Sequence, residues 1–181
     1  AQVKLIDDFM NEMGIGKIAL VGHGLGALVG MKFSLRYKNS VDRVMAINCP
    51  LNIDAVNSRL RTAPPQELSD WLSDRTPEAS TALSDAPKAD IKAISASMAG
   101  LQSDNLFGQF KELDIPTLLV YGEKDQAITR PKYDDTASTY THQVVLDGSG
   151  HFPMVEETIK FNRLLTDFLA LDSGASPSEE L

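Results

Sequence analysis

The stretch Lys17-Ile-Ala-Leu-Val-Gly-His-Gly-Leu-Gly-Ala27 constrains the fold of this chain more than any other. Ile18 to Val21 reads as a short buried strand and Leu25 to Tyr37 as a helix, so the turn between them is very sharp. Such a turn needs at least one residue at positive φ and a helix that leaves close beside the strand. Gly22, Gly24 and Gly26 meet both demands. The local order is strand, elbow, helix.

Length and charge set the bounds. With 181 residues and 43% apolar content, the chain suffices for one domain with a proper core. A net charge of −8 argues against nucleic acid as a partner. No apolar run has the length of a membrane span and no signal peptide is visible, so no membrane partner is expected. The single Cys49 has no internal disulfide partner. It reads as a small buried hydrophobe after an apolar strand, which leans toward a cytoplasmic location. Three histidines and one cysteine are too scattered for a metal site, and no metal or cofactor is expected.

Taken in order, the chain opens in a helical pattern, with Val3, Ile6, Phe9, Met10 and Met13 at helical spacing and Gly14 as C-cap. After the elbow helix, Arg43 to Cys49 reads as a second strand, stopped by Pro50, and the two strands with their helix form a βαβ unit. Residues 51–110 change character: prolines at 64, 65, 77 and 87, with short helical patterns at Glu67–Leu72 and Ala89–Leu101, predict a helical insertion. Sheet returns with Ile115–Tyr121 and Gln143–Leu146. Glu156 to Leu171 closes the fold as an amphipathic helix, with Ile159, Leu164, Leu165, Phe168 and Leu169 available to the sheet. The expected organisation is a first α/β part at 1–50, the insertion at 51–110, a second α/β part at 111–171 and a disordered tail at 172–181. The fold class is α/β, a mostly parallel sheet with flanking helices.

Reactive groups in open α/β sheets gather at the carboxyl ends of strands, and Gly24, Asp125 and His151 all lie just past such ends. Val21-Gly-His-Gly-Leu-Gly-Ala27 resembles the Gly-His-Ser-x-Gly nucleophile elbow of the α/β-hydrolase superfamily. Tyr121-Gly-Glu-Lys-Asp125 resembles that family's acid loop, and Gly150-His151-Phe152-Pro153 its histidine loop, in the family's order. The resemblance implies a helical cap over the site and hydrolysis of a small ester, lactone, amide or related acyl substrate. It implies Asp125 and His151 as acid and base, the Leu25 N–H as an oxyanion donor, and His23 and Phe152 beside the substrate, with His23 flanking the reaction rather than performing it. The pattern breaks at Gly24, where the family has its serine. A chain without that hydroxyl is expected to be inactive or severely impaired as a hydrolase. The alternatives are a ligand- or partner-binding relative and an enzyme whose histidine alone moves a proton.

Other readings attach to single residues. Asp125 is also a turn-former, His151 also a loop histidine packed under Phe152, and His142 reads as surface. Ser149 lies near His151, but a flexible Gly-Ser-Gly turn fixes a nucleophile poorly. Gly22-x-Gly24-x-x-Ala27 satisfies the dinucleotide fingerprint, yet the acid that should end the next strand is missing. Asp42 precedes that strand and Asp54 lies beyond a proline break. In the resembling family further strands precede the elbow strand. Without them Ile18–Val21 becomes a sheet edge free of charges and prolines, which predicts a homo-oligomer, completion by an upstream segment, or aggregation.

Overall fold

A computed structural model describes residues 1–72, 77, 80–102 and 104–177. Helix α1 (Gln2–Met13) leads into strand β1 (Ile18–His23), helix α2 (Leu25–Arg36) and strand β2 (Val41–Ile47). Short helices follow: α3 (Ser58–Thr62), α4 (Pro65–Leu72), α5 (Ser80–Asp85) and α6 (Ile91–Leu101). Strand β3 (Thr117–Gly122), helix α7 (Tyr133–Thr136), strand β4 (Thr141–Leu146) and helices α8 (Pro153–Glu156) and α9 (Thr158–Ala170) complete the order.

The four strands form one parallel sheet in the order β1-β2-β3-β4, so each strand neighbours the next in sequence. Parallel strands covered on both faces read as continuous apolar runs, and β3 is buried at every residue. Alternation divides the core in two. Val44, Ala46, Leu119 and Tyr121 join Met10, Leu28, Met31 and Phe33 of α1 and α2 on one face. Met45, Ile47, Leu118 and Val120 meet Phe161 and Phe168 of α9 on the other.

One buried charge pins α9 to the sheet. Arg43, 6% exposed, pairs with Asp42 at 2.7 Å and donates through one terminal nitrogen to the carbonyls of Phe168 and Leu169 at 2.8 and 3.1 Å. The last carbonyls of a helix lack intrahelical donors and carry partial negative charge, so a guanidinium there satisfies both needs. Asp42 is thereby committed to structure.

Several expectations are corrected. Ile159 and Leu169 face solvent, at 87% and 44% exposure. The helix is broken at Glu157 and restarts at Thr158, so Phe161, Leu164, Leu165 and Phe168 define its inner face. Ile159 then lies about half a turn from Phe161. On α1, Met10 is buried and Val3 and Ile6 pack against the core, whereas Phe9 and Met13 are exposed together with Leu5. His142 is half-buried in β4 rather than on the surface, with its ring edge-on to Tyr133, and burial lowers its pKa. Residues 172–177 do not fray: Ser173 donates to Asp42, Ser176 donates to the Thr139 carbonyl, and Ala175 packs against the core. Residues 178–181 of the expected tail lie outside the described residues.

β1 is one of the two edges of the sheet rather than a buried strand. Ala19 and Val21 are exposed, Val21 at 46%. An apolar groove of about 510 Å³, lined by Leu5, Ile6, Leu20, Val21 and Val29, runs along it. An unpaired apolar edge invites another strand. In solution the 181-residue chain is expected to pair through β1 with a second copy or to aggregate. Light scattering that returned a monodisperse monomer of 19.7 kDa, with a cooperative unfolding transition, would rule this out.

Candidate functional site

The elbow is built by backbone geometry. Gly24 stands between β1 and α2 with φ 55° and ψ −119°, a region that side chains with a Cβ enter only at a cost of about 1–3 kcal/mol. Its N–H donates to the Ile47 carbonyl at 2.9 Å, fixing the turn to the end of β2. At Gly22 a Cβ would stand 2.6 Å from the Gly26 oxygen and 2.7 Å from the Ala27 nitrogen, so helix and strand approach this closely only with glycine there. Leu25 opens α2, and its N–H has no intrahelical acceptor by position.

Asp125 lies in the loop after β3 and His151 in the loop after β4. The Asp125 carboxylate is 2% exposed and accepts from three donors. Its Oδ1 takes the N–H groups of Ala127 and Ile128 at 2.7 and 3.3 Å, the turn that an aspartate favours at this position. Oδ2 stands 2.9 Å from His151 Nδ1. With the carboxylate as acceptor, the neutral imidazole carries its proton on Nδ1 and leaves Nε2 with a lone pair. An imidazole held this way accepts a proton at Nε2 and delivers it again. The turn-former reading of Asp125 and the site reading are therefore both realised, by different oxygens.

His23 and Phe152 gather around His151. The His23 ring lies 4.7 Å from that of His151 and 5.3 Å from Phe152, and Phe152 meets His151 edge-on at 5.0 Å. His23 Nε2 donates to the His151 carbonyl at 2.6 Å. Burial, reinforced by the neighbouring imidazole of His151, lowers its pKa to about 4, so the ring is neutral near pH 7. The structure thus makes His23 a brace for the histidine loop.

Three residues that sequence reasoning passed over hold the loops. Asn48, fully buried, donates to the carbonyls of His151 and Gly150 at 2.8 and 3.3 Å and accepts the Gly122 N–H at 3.0 Å. Glu156 Oε2 takes the Gly150 N–H at 2.5 Å and the Ser149 hydroxyl at 3.3 Å. Glu123 takes the Gly148 N–H at 2.9 Å. The usable signal was a carboxylate or carboxamide beside a glycine-rich turn whose N–H groups need acceptors. Ser149 is itself fully buried and turned to Glu156, so it offers no nucleophile. Cys49 is fully buried, and burial pushes its thiol pKa up.

A recess of about 190 Å³ opens against His151, lined by Trp71, Lys124, Gln126, Gly150 and Glu156. Trp71, from α4, donates its indole N–H to Gln126 at 3.0 Å, and the Arg59 guanidinium lies over its ring at 5.0 Å. Among the described residues no group of three or more His, Cys, Asp or Glu side chains is arranged to hold a metal ion, and no helix is long and apolar enough to cross a membrane. The ribose-binding acid of a dinucleotide site is not at the end of β2. Asn48 stands there with both ends of its carboxamide engaged, while Asp42 serves Arg43.

His23 makes the fold sensitive to acid. Its folded pKa, about 4, lies below the 6.5 of the unfolded chain, so the unfolded state takes up the proton first. The stability this group contributes is complete above pH 6.5 and is lost as pH falls toward 4. By pH 5 the loss amounts to about 2 kcal/mol. Urea unfolding at pH 7 and pH 5 is expected to show this decrease, and His23→Gln is expected to flatten it. An equal decrease in the variant would assign the effect elsewhere.

The comparisons with known proteins agree with this geometry. The model of the alpha/beta hydrolase family matches residues 1–163. The pimeloyl-[acyl-carrier protein] methyl ester esterase of Sodalis glossinidius (strain morsitans) is 29% identical over 89 residues, 48% of this chain and 35% of that protein. RutD of Shigella flexneri serotype X (strain 2002017), provisionally named a carbamate hydrolase, is 28% identical over 179 residues, 87% of this chain and 67% of that protein. This chain therefore spans about a third of the first relative's length and about two thirds of the second's. Among solved structures, the enol-lactonase from Burkholderia xenovorans LB400 superposes with a TM-score of 0.76 at 17% identity, covering 93% of this chain and 72% of that one. The meta-cleavage product hydrolase from Pseudomonas fluorescens IP01 does so with a TM-score of 0.74 at 21% identity, covering 92% and 70%. Those likenesses show the fold, and the family match joined to the elbow, acid-loop and histidine-loop geometry places the chain: it belongs to the alpha/beta hydrolase family.

Proposed function

We propose that this chain keeps the acid–base pair of an acyl hydrolase site while lacking its covalent nucleophile, so that it binds a small acyl compound and turns it over slowly if at all. The observation that carries the reading is the 2.9 Å contact between buried Asp125 and His151, on a scaffold whose elbow residue, Gly24, has no side chain. The substrate class, a small ester, lactone, amide or carbamate, draws support from the names of the relatives and structural neighbours. In this reading residues 51–110 form a cap over the site, a role supported by the Trp71 bond to Gln126 beside the acid loop. A buried thiol as the chain's single cysteine suits a reducing compartment, and the cytoplasm is part of the proposal.

The residual reaction uses water. His151 Nε2 takes a proton from a water molecule as its oxygen attacks the carbonyl carbon, and the substrate oxygen becomes an oxyanion held by the Leu25 N–H. The imidazolium, steadied by Asp125, then returns the proton to the leaving group as the carbon–leaving-group bond breaks. No acyl-enzyme forms. Removing a triad nucleophile in a serine protease costs about 10⁶-fold in kcat, which sets the scale of the expected impairment. A second reading, a ligand- or partner-binding relative, is favoured by the exposed apolar edge of β1, which offers a docking strand near the elbow.

A fluorophosphonate probe is expected to leave the chain unlabelled, and ester hydrolysis is expected to be very slow. Stoichiometric labelling at residues 22–26 or at Ser149 would sink this reading. Gly24→Ser supplies the missing hydroxyl, at the cost of backbone strain of about 1–3 kcal/mol. Covalent labelling is expected to appear in that variant if Asp125 and His151 are a preserved acid–base pair. If it stays inert, the reading of Asp125 and His151 as a preserved acid–base pair fails.

A further inference from the structure

Asn48 is the one non-glycine residue among those described with positive φ, at 45°. Unusual backbone conformations persist where the surroundings over-determine them, and they cluster at functional sites. Here the determinants are visible. The Asn48 N–H extends the β2–β3 ladder to the Val120 carbonyl at 2.8 Å. Its side-chain oxygen accepts the N–H of Gly122, the residue where β3 gives way to the acid loop, at 3.0 Å. Its side-chain nitrogen donates at 2.8 Å to the carbonyl of His151 itself and at 3.3 Å to that of Gly150. One carboxamide therefore spans the root of the loop that carries Asp125 and the backbone of the residue that Asp125 must reach. Aspartate would keep the first bond and set a carboxylate against two carbonyl oxygens; leucine of similar size would leave buried polar groups unpaired.

We propose that Asn48 is a positioning residue for the Asp125–His151 pair: by tying the end of β3 to the histidine loop, it fixes the separation across which the imidazole meets the carboxylate. The inference rests on the reading of that pair as a working acid–base unit. His23 braces the same His151 carbonyl from the β1 side at 2.6 Å, so both lone pairs of that oxygen are engaged. His23 reaches the histidine loop from β1, whereas Asn48 bonds both the end of β3 and the histidine loop.

The test is made on the 181-residue chain. Asn48→Gly suits the positive φ and deletes every side-chain bond; Asn48→Asp retains only the acceptor for Gly122. The readout is the Nδ1–H proton of His151 by NMR, identified by its disappearance in Asp125→Asn. Its exchange with water is expected to accelerate about tenfold or more in both Asn48 variants as the pair loosens. Phe168→Leu, which loses packing on the opposite face of the sheet, serves as a control for general destabilisation and is expected to leave exchange within about twofold. In a Gly24→Ser background, either Asn48 variant is expected to lower kcat for a small ester about tenfold or more with KM nearly unchanged. Unaltered exchange in the Asn48 variants overturns the proposal, as does an equal acceleration in Phe168→Leu. Failure of both Asn48 variants to fold also overturns it, since Asn48 is then a residue of the fold and not of the pair. An inert Gly24→Ser parent counts against the proposed function alone, because the exchange measurement decides Asn48 without it.

Discussion

Three main-chain hydrogen bonds just beyond the strand ends hold the site together. Gly24 donates to Ile47, Asn48 to Val120 and Glu123 to Leu146, at 2.9, 2.8 and 3.1 Å. Each joins the first residue past one strand to a carbonyl at the end of the next, so the parallel ladder runs into the loops and the elbow, acid loop and histidine loop stand side by side. Parallel sheets put the carboxyl ends of neighbouring strands on one edge, and chemistry collects there because helices cover both faces. The side-chain bonds of Asn48, Glu123 and Glu156 then fill the N–H and carbonyl groups that the loops leave over. Without Glu156 the half-buried Gly150 N–H would lose its acceptor, at up to about 1–3 kcal/mol, whereas the exposed Gly148 N–H could turn to water.

At the elbow, stability and chemistry pull apart. A serine at Gly24 would sit at φ 55°, and the glycine removes that strain while removing the only atom at that point able to form an acyl bond. The pair across from it has not been dismantled. Asp125 keeps three hydrogen bonds, and His151 is braced by Asp125 at the ring and by Asn48 and His23 at the backbone. Part of this construction serves the fold whatever the chemistry, since Asp125 Oδ1 closes its own turn and Glu156 closes the next. The intact Asp125–His151 contact therefore does not by itself require a nucleophile at Gly24.

The four strands, the elbow and the positions of Asp125 and His151 were legible in the sequence because each depends on local signals. These are apolar runs of strand length, glycine at a turn that demands it, and short motifs just past strand ends. What stayed hidden depends on contacts between distant segments. Asn48 looked like the absence of an acid; its value comes from Gly122 and His151, 74 and 103 residues away. Ile159 faces solvent because, on α9, it lies about half a turn from Phe161 and the rest of the inner face. Residues 172–177 read as a tail by composition, yet Ser173 and Ser176 find acceptors on Asp42 and Thr139 that no local pattern announces.

The site is mechanically uneven as a result of the strand order. Asp125 leaves β3, which is buried throughout, whereas the elbow and His151 leave the two edge strands, β1 with Ala19 and Val21 facing solvent and β4 half-buried over most of its length. Local opening starts where few buried contacts oppose it, so β1, with two residues facing solvent, is the softest strand of the site and β3 the firmest. Beyond the β1–β2 ladder, Gly24 is tied to Ile47, and His23 reaches across to the His151 carbonyl. His23 thus does for the elbow what Asn48 does for the acid loop. A ligand or strand that covers β1 stabilises the elbow first, and its most direct route to the imidazole is the His23 ring, 4.7 Å from that of His151.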